Sequence, residues 1–284
     1  MRLDKYVAQK YSLFSRQAIQ RAIALGKITV NGAKTKKSYP VRSTDVVKVS
    51  IPSETFSREL RALVWPANLP VVHEEKDFAV INKPAGLAMH PPLTEGVEVN
   101  QKPTLAHYLI SRYPKIKSVG DNPLRPGIVH RLDKDVSGLV VVARTAVMFA
   151  HLKTQFQKRL VDKWYLATVA GRLDKSRVIK TKIARHPRTL LRRVVSQTGG
   201  VEAVTEVYPL KPGDQYSVVK VRILTGRMHQ IRVHLKHIGH PIVGDKIYRG
   251  AVEYSPDLQL RAIKLSFQGT DGRTRTFVLP GLTI

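Results

Sequence analysis

The sequence contains no cysteine. That excludes disulfides, cysteine-ligated zinc and thiol catalysis, and it fits a reducing compartment. There is no run of about 18 apolar residues, no lipidation signal and no isolated basic amphipathic tail, so no association with a membrane is expected. Phosphate loops of the GxxxxGK and GxGxxG types are missing, which leaves nucleotide cofactors without a seat. A GxSxG elbow is missing too. The first residues, Met1-Arg2-Leu3-Asp4-Lys5, place an acid early and lack the apolar core of a secretory signal, so a cytoplasmic protein is expected. Acidic residues are scarce: 21 Asp and Glu stand against 48 Lys and Arg, a formal charge of +27 with a pI near 10.5. A charge of that size repels itself and calls for a polyanionic partner. The basic residues run along the whole chain, which suits a folded surface following a nucleic-acid backbone.

The 284 residues suffice for one large domain or two smaller ones, and a hydrophobic fraction of 43% argues against disorder. Residues 1–50 read as a separate small unit. Leu3, Tyr6 and Val7 recur at helical spacing. Ser15 has the character of an N-cap, and Ala18, Ile19, Ala22, Ile23 and Leu25 form an apolar stripe that leaves Arg16 and Arg21 on the polar side. Gly26 ends the helix. Lys27 to Val30 is a strand, Asn31-Gly32 a turn, and a second strand runs from Asp45 to Val49. Lys34, Lys36 and Lys37 lie between them, and residues 5–44 hold no acid. Residues 51–68, with Pro52 and Pro66, read as a linker.

The larger unit is expected over 69–284. Short strands are expected at Val71-Val72 and at Phe78 to Ile81, the second broken by Asn82-Lys83-Pro84-Ala85-Gly86. Thr104 caps a helix through Ala106, Leu109 and Ile110. Leu139 to Ala143 is a continuous apolar run and reads as a buried strand. Thr145 opens a helix through Val147, Met148, Ala150, Leu152 and Phe156. Further strands are expected at 165–170, 203–208, 217–224 and 260–267, with a helix from His229 to Ile238 ended by Gly239. Strands outnumber helices and do not alternate with them. The fold class is therefore α+β: a mixed, largely antiparallel sheet with flanking helices, plus the small N-terminal α/β unit.

Two clusters bear on chemistry. His229, His234, His237 and His240 crowd one segment, but only Asp245 follows nearby, and Arg232 and Lys236 would repel a cation. No metal is expected, and these histidines read as packed or RNA-facing. The second cluster is Gly127-Ile-Val-His130-Arg131-Leu-Asp133-Lys134-Asp135-Val136-Ser-Gly138. Asp133 follows a strand-like segment between Arg131 and Lys134, whose charges favour an ionised carboxylate suited to nucleophilic or acid–base work. Spacing alone favours a plainer role, an aspartate capping a turn.

Longer patterns add to this. "SRQAIQRAIALGKITVNG" followed by "DVVKV" resembles the RNA-binding domain of ribosomal-protein-S4 type. The resemblance implies that Arg16, Arg21 and Lys27 face RNA phosphates. "HRLDKDVSGLVVVA" resembles the signature of the RluA family of pseudouridine synthases. "VINKPAG" upstream, with "KWYLATVAG" and "LTGRMHQIRVHLKHIGHPIVGD" downstream, match the same family in order. The resemblance implies that Asp133 is the nucleophilic carboxylate. It implies that Arg131 helps extrude the target uridine and fill the gap. It also implies that Tyr165 stacks on the base and shares in proton transfer at C5, and that Arg232 pairs with Asp133. Asn82 and Lys83 would shape the floor of the site, with Lys83, His130 and His229 on the substrate side.

Val136 and Met228 stand where the family often has Thr, and Arg261 where it often has His. None of these changes removes a catalytic group. The implied reaction is an isomerisation, so no redox cofactor, metal or ATP is expected. The carboxylate can add to C1′ of the ribose or to C6 of the base. The implied partner is RNA, large-subunit ribosomal RNA ahead of transfer RNA, and the chain is expected to be a monomer. A non-catalytic RNA-binding assembly factor would not need Asp133, Tyr165 and Arg232 together. A glycosidase would need a better carboxylate pair than Asp133 and Asp135, which alternate sides on an extended backbone.

Overall fold

The computed structural model describes residues 1–10, 16–50, 68–91, 103–122, 124–189, 192–248 and 255–280. The chain divides into two compact units, residues 1–68 with 90–127, and residues 69–89 with 128–284.

In the first unit, α1 (Leu3–Lys10) and α2 (Arg16–Ala24) pack beside a small antiparallel sheet in the order β2 (Ala33–Lys34), β1 (Ile28–Val30), β3 (Val47–Val49). Leu3, Val7, Ile19, Ala22, Ile23, Ile28 and Val30 form its core. Burial of each large aliphatic side chain contributes about 2 kcal/mol. Leu25, expected on the stripe of α2, lies past the helix end and is exposed. Gly26 ends α2 with φ +75, and Asn31 and Gly32 both take positive φ in a tight hairpin turn. Asn31 also ties β3 to that turn: its Oδ1 accepts from Val46 N at 2.8 Å and its Nδ2 donates to Asp45 at 2.9 Å. The expected Ser15 cap lies outside the described residues, as does the 51–67 part of the linker. Residues 103–127 contribute α3 (Leu105–Arg112), begun at Thr104 as expected, where His107 Nδ1 accepts from Thr104 N at 3.1 Å.

The second unit is built on one large sheet, ten strands among the described residues. Its order is β4 (Val71–Glu74), β5 (Phe78–Lys83), β6 (Ser137–Ala143), β12 (Leu260–Gln268), β7 (Asp162–Ala170), β11 (Tyr216–Ile223), β10 (Val201–Lys211), β8 (Arg177–Arg185) and β9 (Arg193–Ser196). β13 (Thr274–Val278) pairs along β12. Every pairing is antiparallel except β6 with β12, so the sheet is mixed and largely antiparallel. α4 (Ala146–Gln157), capped by Thr145 Oγ1 accepting from Met148 N, packs on β6. α5 (Gln230–His237) packs on β9 and β10. In α4, Met148 and Leu152 are buried while Val147 faces solvent, so the apolar face is narrower than the sequence suggests. Phe78, Phe267 and Phe277 meet with ring centroids 5.2–6.1 Å apart and fasten β5 to β12 and β13.

Two local details position the site. β5 does not break at Asn82. Its ladder continues through Asn82 opposite Leu139 and Lys83 opposite Gly138, and stops at Pro84, which has no N–H to give. Gly138 has φ +114, and a Cβ there would collide with the backbone of Ala262, so β6 can reach β12 only through glycine. Gly138→Ala is expected to lower stability by about 3 kcal/mol, read as a lower midpoint in chemical denaturation.

Candidate active site

All residues of the site belong to the second unit. Asp133 sits in the loop before β6, and that loop is pinned at four points. Leu132 and Val136 are buried on either side of Asp133. His130 Nε2 accepts the backbone N–H of Val141 at 3.0 Å, while its ring stacks on Phe156 at 4.6 Å. Lys83 is fully buried and donates from Nζ to the carbonyls of Pro84 (2.9 Å), Leu87 (2.8 Å) and Lys134 (3.0 Å). Burial lowers the Lys83 ammonium to about 8 despite the nearby charges of Asp135 and Asp133. Three carbonyl acceptors match the three donors of an ammonium, so Lys83 stays protonated at neutral pH. Burial also pushes His130 down to about 3, helped by the charge of Lys163, so it is a neutral acceptor. Lys83 is therefore a strut beneath the loop and does not line the cavity, and the Nε2 of His130 is spent on the backbone.

The facing wall is the turn from β11 into α5. Gln230 fixes this turn. Its Oε1 accepts from Thr225 Oγ1 (2.7 Å) and Arg227 N (3.0 Å), and its Nε2 donates to Val204 O (3.0 Å) and Thr205 Oγ1 (2.9 Å). His229 precedes the helix with φ +57, and Arg232 follows three residues later on the same face. Arg232 is buried and is held chiefly by Asp245, with Nε to Oδ2 and Nη2 to Oδ1 both 2.7 Å. Asp245 Oδ1 also accepts the backbone N–H groups of Ile247 (2.9 Å) and Tyr248 (3.0 Å). Burial alone would raise Asp245, but the Arg232 pair outweighs it and holds the carboxyl low. Arg232 keeps Nη1 for Asp133, 3.3 Å from Oδ2. The sequence reading paired Arg232 with Asp133. In the fold its tight partner is Asp245, and Asp133 takes the remaining donor.

Tyr165 points from β7 into the same cavity, with no hydrogen-bond partner for its hydroxyl among the described residues. Burial and then the charge of Asp133 push its phenol up, so it is neutral. The cavity is about 380 Å³, within the range for small-molecule sites, and is lined by Arg131, Asp133, Lys163, Tyr165, His229 and Arg232 among others. Arg131 is exposed on its wall. Lys163, lowered to about 8 by burial against the pull of Asp162, adds a further cation to those of Arg131 and Arg232. The remaining candidates lie elsewhere. Lys27 is exposed in the first unit, and the side chains of Arg16 and Arg21 are outside the described set. Among the clustered histidines, His234 bonds Thr205 (2.9 Å) and Thr181 (3.0 Å), His240 bonds Ala170 O (2.9 Å), and His237 is exposed. They do not converge.

The model of the RNA pseudouridylate synthase family matches residues 77–237, more than half of the chain. The chain belongs to this family. The S4 domain model matches residues 1–47. As a family member of RluA type, the protein is an RNA pseudouridine synthase, an isomerase. It is 40% identical over 256 residues to an uncharacterized RNA pseudouridine synthase of Aquifex aeolicus, covering 87% of this chain and 76% of the relative. It is 37% identical over 254 residues to ribosomal large subunit pseudouridine synthase D of Xylella fastidiosa, covering 89% and 72%. Its structure is similar to that of human RNA pseudouridylate synthase domain containing 1, with TM-score 0.59 and 26% identity over 76% of this chain and 86% of that one.

Residues of the synthase site that were not singled out by sequence include Lys163, hidden as the first residue of "KWYLATVAG", Gln230, inside the "LTGRMHQIRVHLKHIGHPIVGD" motif, and Asp245, considered only as a metal ligand. The strut role of Lys83 is open to test. Lys83→Met leaves three carbonyls without a donor. It is expected to cost about 2–3 kcal/mol in chemical denaturation and to lower kcat about tenfold, with KM little changed, in initial-rate measurements.

Proposed function

We propose that this synthase isomerises uridines of large-subunit ribosomal RNA with Asp133 as its nucleophile. The observation that carries the assignment is the convergence of one carboxylate, one paired guanidinium and one neutral tyrosine on a single cavity: Asp133, Arg232 and Tyr165. The reaction breaks N1–C1′, turns the uracil and joins C5 to C1′. A proton leaves C5 and N1 gains one, so the composition is unchanged and no oxidant or phosphoryl donor is consumed. The carboxylate adds to the uridine and is released when the new bond forms. Tyr165 stacks on the extruded base. Its raised pKa makes it a neutral stacking and hydrogen-bonding partner and not a resident phenolate. A uridine within structured RNA must leave its stack at a cost of a few kcal/mol. Arg131, exposed on the cavity wall, is suited to fill the gap.

The ribosomal substrate is favoured by the likeness to the large-subunit enzyme of Xylella fastidiosa and by the net charge of +27. We take the active form to be a monomer and its RNA to be cytoplasmic. Residues 1–50 act as an S4-type phosphate-binding domain through Arg16, Arg21, Lys27, Lys34, Lys36 and Lys37, and residues 69–284 carry the chemistry.

Asp133→Asn is expected to abolish pseudouridine formation and leave RNA affinity within a few-fold. Mapping pseudouridines in total RNA from cells with the wild-type protein, with the variant or with neither checks this. Normal modification by the variant would overturn the assignment, and a site in transfer RNA would replace the ribosomal substrate. In the full chain, reversing Lys34, Lys36 and Lys37 to Glu is expected to weaken RNA binding. The slope of log K against log salt should fall by about 2–3. An unchanged slope in a salt titration would remove that surface from the interface.

A further inference from the structure

Asp133 faces a second group besides Arg232. His229 Nε2 lies 3.7 Å from Oδ2, the same oxygen that Arg232 Nη1 approaches at 3.3 Å. On the other side of the ring, His229 Nδ1 is 2.8 Å from the hydroxyl of Tyr248, and the two rings meet edge to face. That hydroxyl also accepts the backbone N–H of Arg193 at 2.8 Å.

The proton pattern follows from these contacts. Were Nδ1 protonated, it would donate to the Tyr248 oxygen. The phenolic proton would then have no acceptor in the set, and the bare Nε2 lone pair would face a carboxylate oxygen. Were both nitrogens protonated, a buried cation would sit beside Arg232. Burial disfavours that most, and the attraction of Asp133 does not overcome it, so His229 is held below the ordinary histidine value. The remaining form is the one that these contacts favour: Tyr248 O–H donates to Nδ1, and the Nε2–H is on the side of the ring that faces Asp133. The separation of 3.7 Å is beyond hydrogen-bond range. Catalytic contacts in a ligand-free site are often long and tighten on substrate binding.

We propose that His229 is a positioning residue for Asp133, fixed by Tyr248 as the neutral Nε2–H tautomer, so that His229 and Arg232 together engage Oδ2 and leave Oδ1 as the reacting oxygen. The inference rests on Asp133 being the nucleophile. It explains why a histidine occupies a left-handed position, φ +57, at the head of α5. That backbone turn is unfavourable for most side chains, and here it directs the ring between Tyr248 and Asp133.

Two conservative variants separate the ring nitrogens. Asn tolerates the left-handed backbone and offers an acceptor near Nδ1, but no donor at Nε2. Gln offers a donor at the depth of Nε2. With large-subunit ribosomal RNA carrying 5-tritiated uridine, tritium release by His229→Asn is expected to show kcat reduced about 10–100-fold, with KM within about threefold. His229→Gln is expected to recover at least about tenfold of that loss. Nitrogen-15 NMR of the whole protein, with His229 assigned by the variant, should show Nδ1 unprotonated and Nε2 protonated. In Tyr248→Phe, which keeps the ring, the signal should move toward the Nδ1–H form. The inference is overturned by an Nδ1–H tautomer in the wild type, by an unmoved tautomer in Tyr248→Phe, by wild-type kcat in His229→Asn, or by equal losses in Asn and Gln. The NMR arm needs no substrate and no nucleophile. Failure of Asp133 as the nucleophile would show instead as an active Asp133→Asn.

Discussion

The buried pair of Arg232 and Asp245 is the constraint on which the site depends. A guanidinium taken out of water is costly unless its donors are met. Asp245 meets two of them at 2.7 Å, and backbone N–H groups from Ile247 and Tyr248 hold Asp245 in turn. The fork geometry then decides what is left for Asp133. With the Nε–Nη2 edge of the guanidinium committed to Asp245, Asp133 is met by Nη1, which reaches a single oxygen. Without Asp245, the stronger arrangement for Arg232 would be a two-bond pair with Asp133, which would occupy both carboxylate oxygens. The neighbouring acid thus supports the cation and also limits how tightly it binds Asp133.

The sheet brings these groups together from distant parts of the chain. β12 enters late in the sequence between β6 and β7, with the Asp133 loop leading into β6 and Tyr165 on β7. β11 lies next to β7 and delivers the turn into α5, where Gln230 makes four hydrogen bonds. The Asp133 loop is irregular, but Lys83, His130, Leu132 and Val136 anchor it from below. A loop so anchored can hold a side chain nearly as firmly as a strand does.

Charge is divided between surface and site. Most of the net positive charge of +27 lies on exposed side chains that can draw in a polyanion from a distance. Inside the cavity, burial keeps Tyr165, His130 and His229 neutral and lowers Lys163 to about 8. The phosphate backbone is attracted by the surface as a whole. The cavity itself is lined by five cationic side chains, Arg131, Arg159, Lys163, Arg227 and Arg232, and by one carboxylate, Asp133.

Sequence patterns alone determined much of this. The Ile19, Ala22 and Ile23 stripe, the Asn31-Gly32 turn, the buried run Leu139–Ala143 and the Thr145 cap are local signals, because helix and strand periods and turn dihedrals are properties of neighbouring residues. The α+β class followed from their order, and four ordered motifs named the family. β2, β8, β9 and β13 were missed. In β8 only Ile179 and Ile183 are buried, and the charged residues around them blur the alternation that marks a strand. Leu25 and Val147 fit an apolar period yet face solvent, because the sheet and helices around them decide which part of a stripe is covered. The contacts within the site lay further out of reach. Arg232 meets Asp245 across 13 residues and Asp133 across 99, and Lys83 reaches Lys134 across 51. No periodicity links such positions. Which carboxylate takes the fork, which lysine becomes a strut and which groups flank the His229 ring were decided only by the tertiary structure, since each depends on the distance and burial of groups brought together by long-range strand pairing.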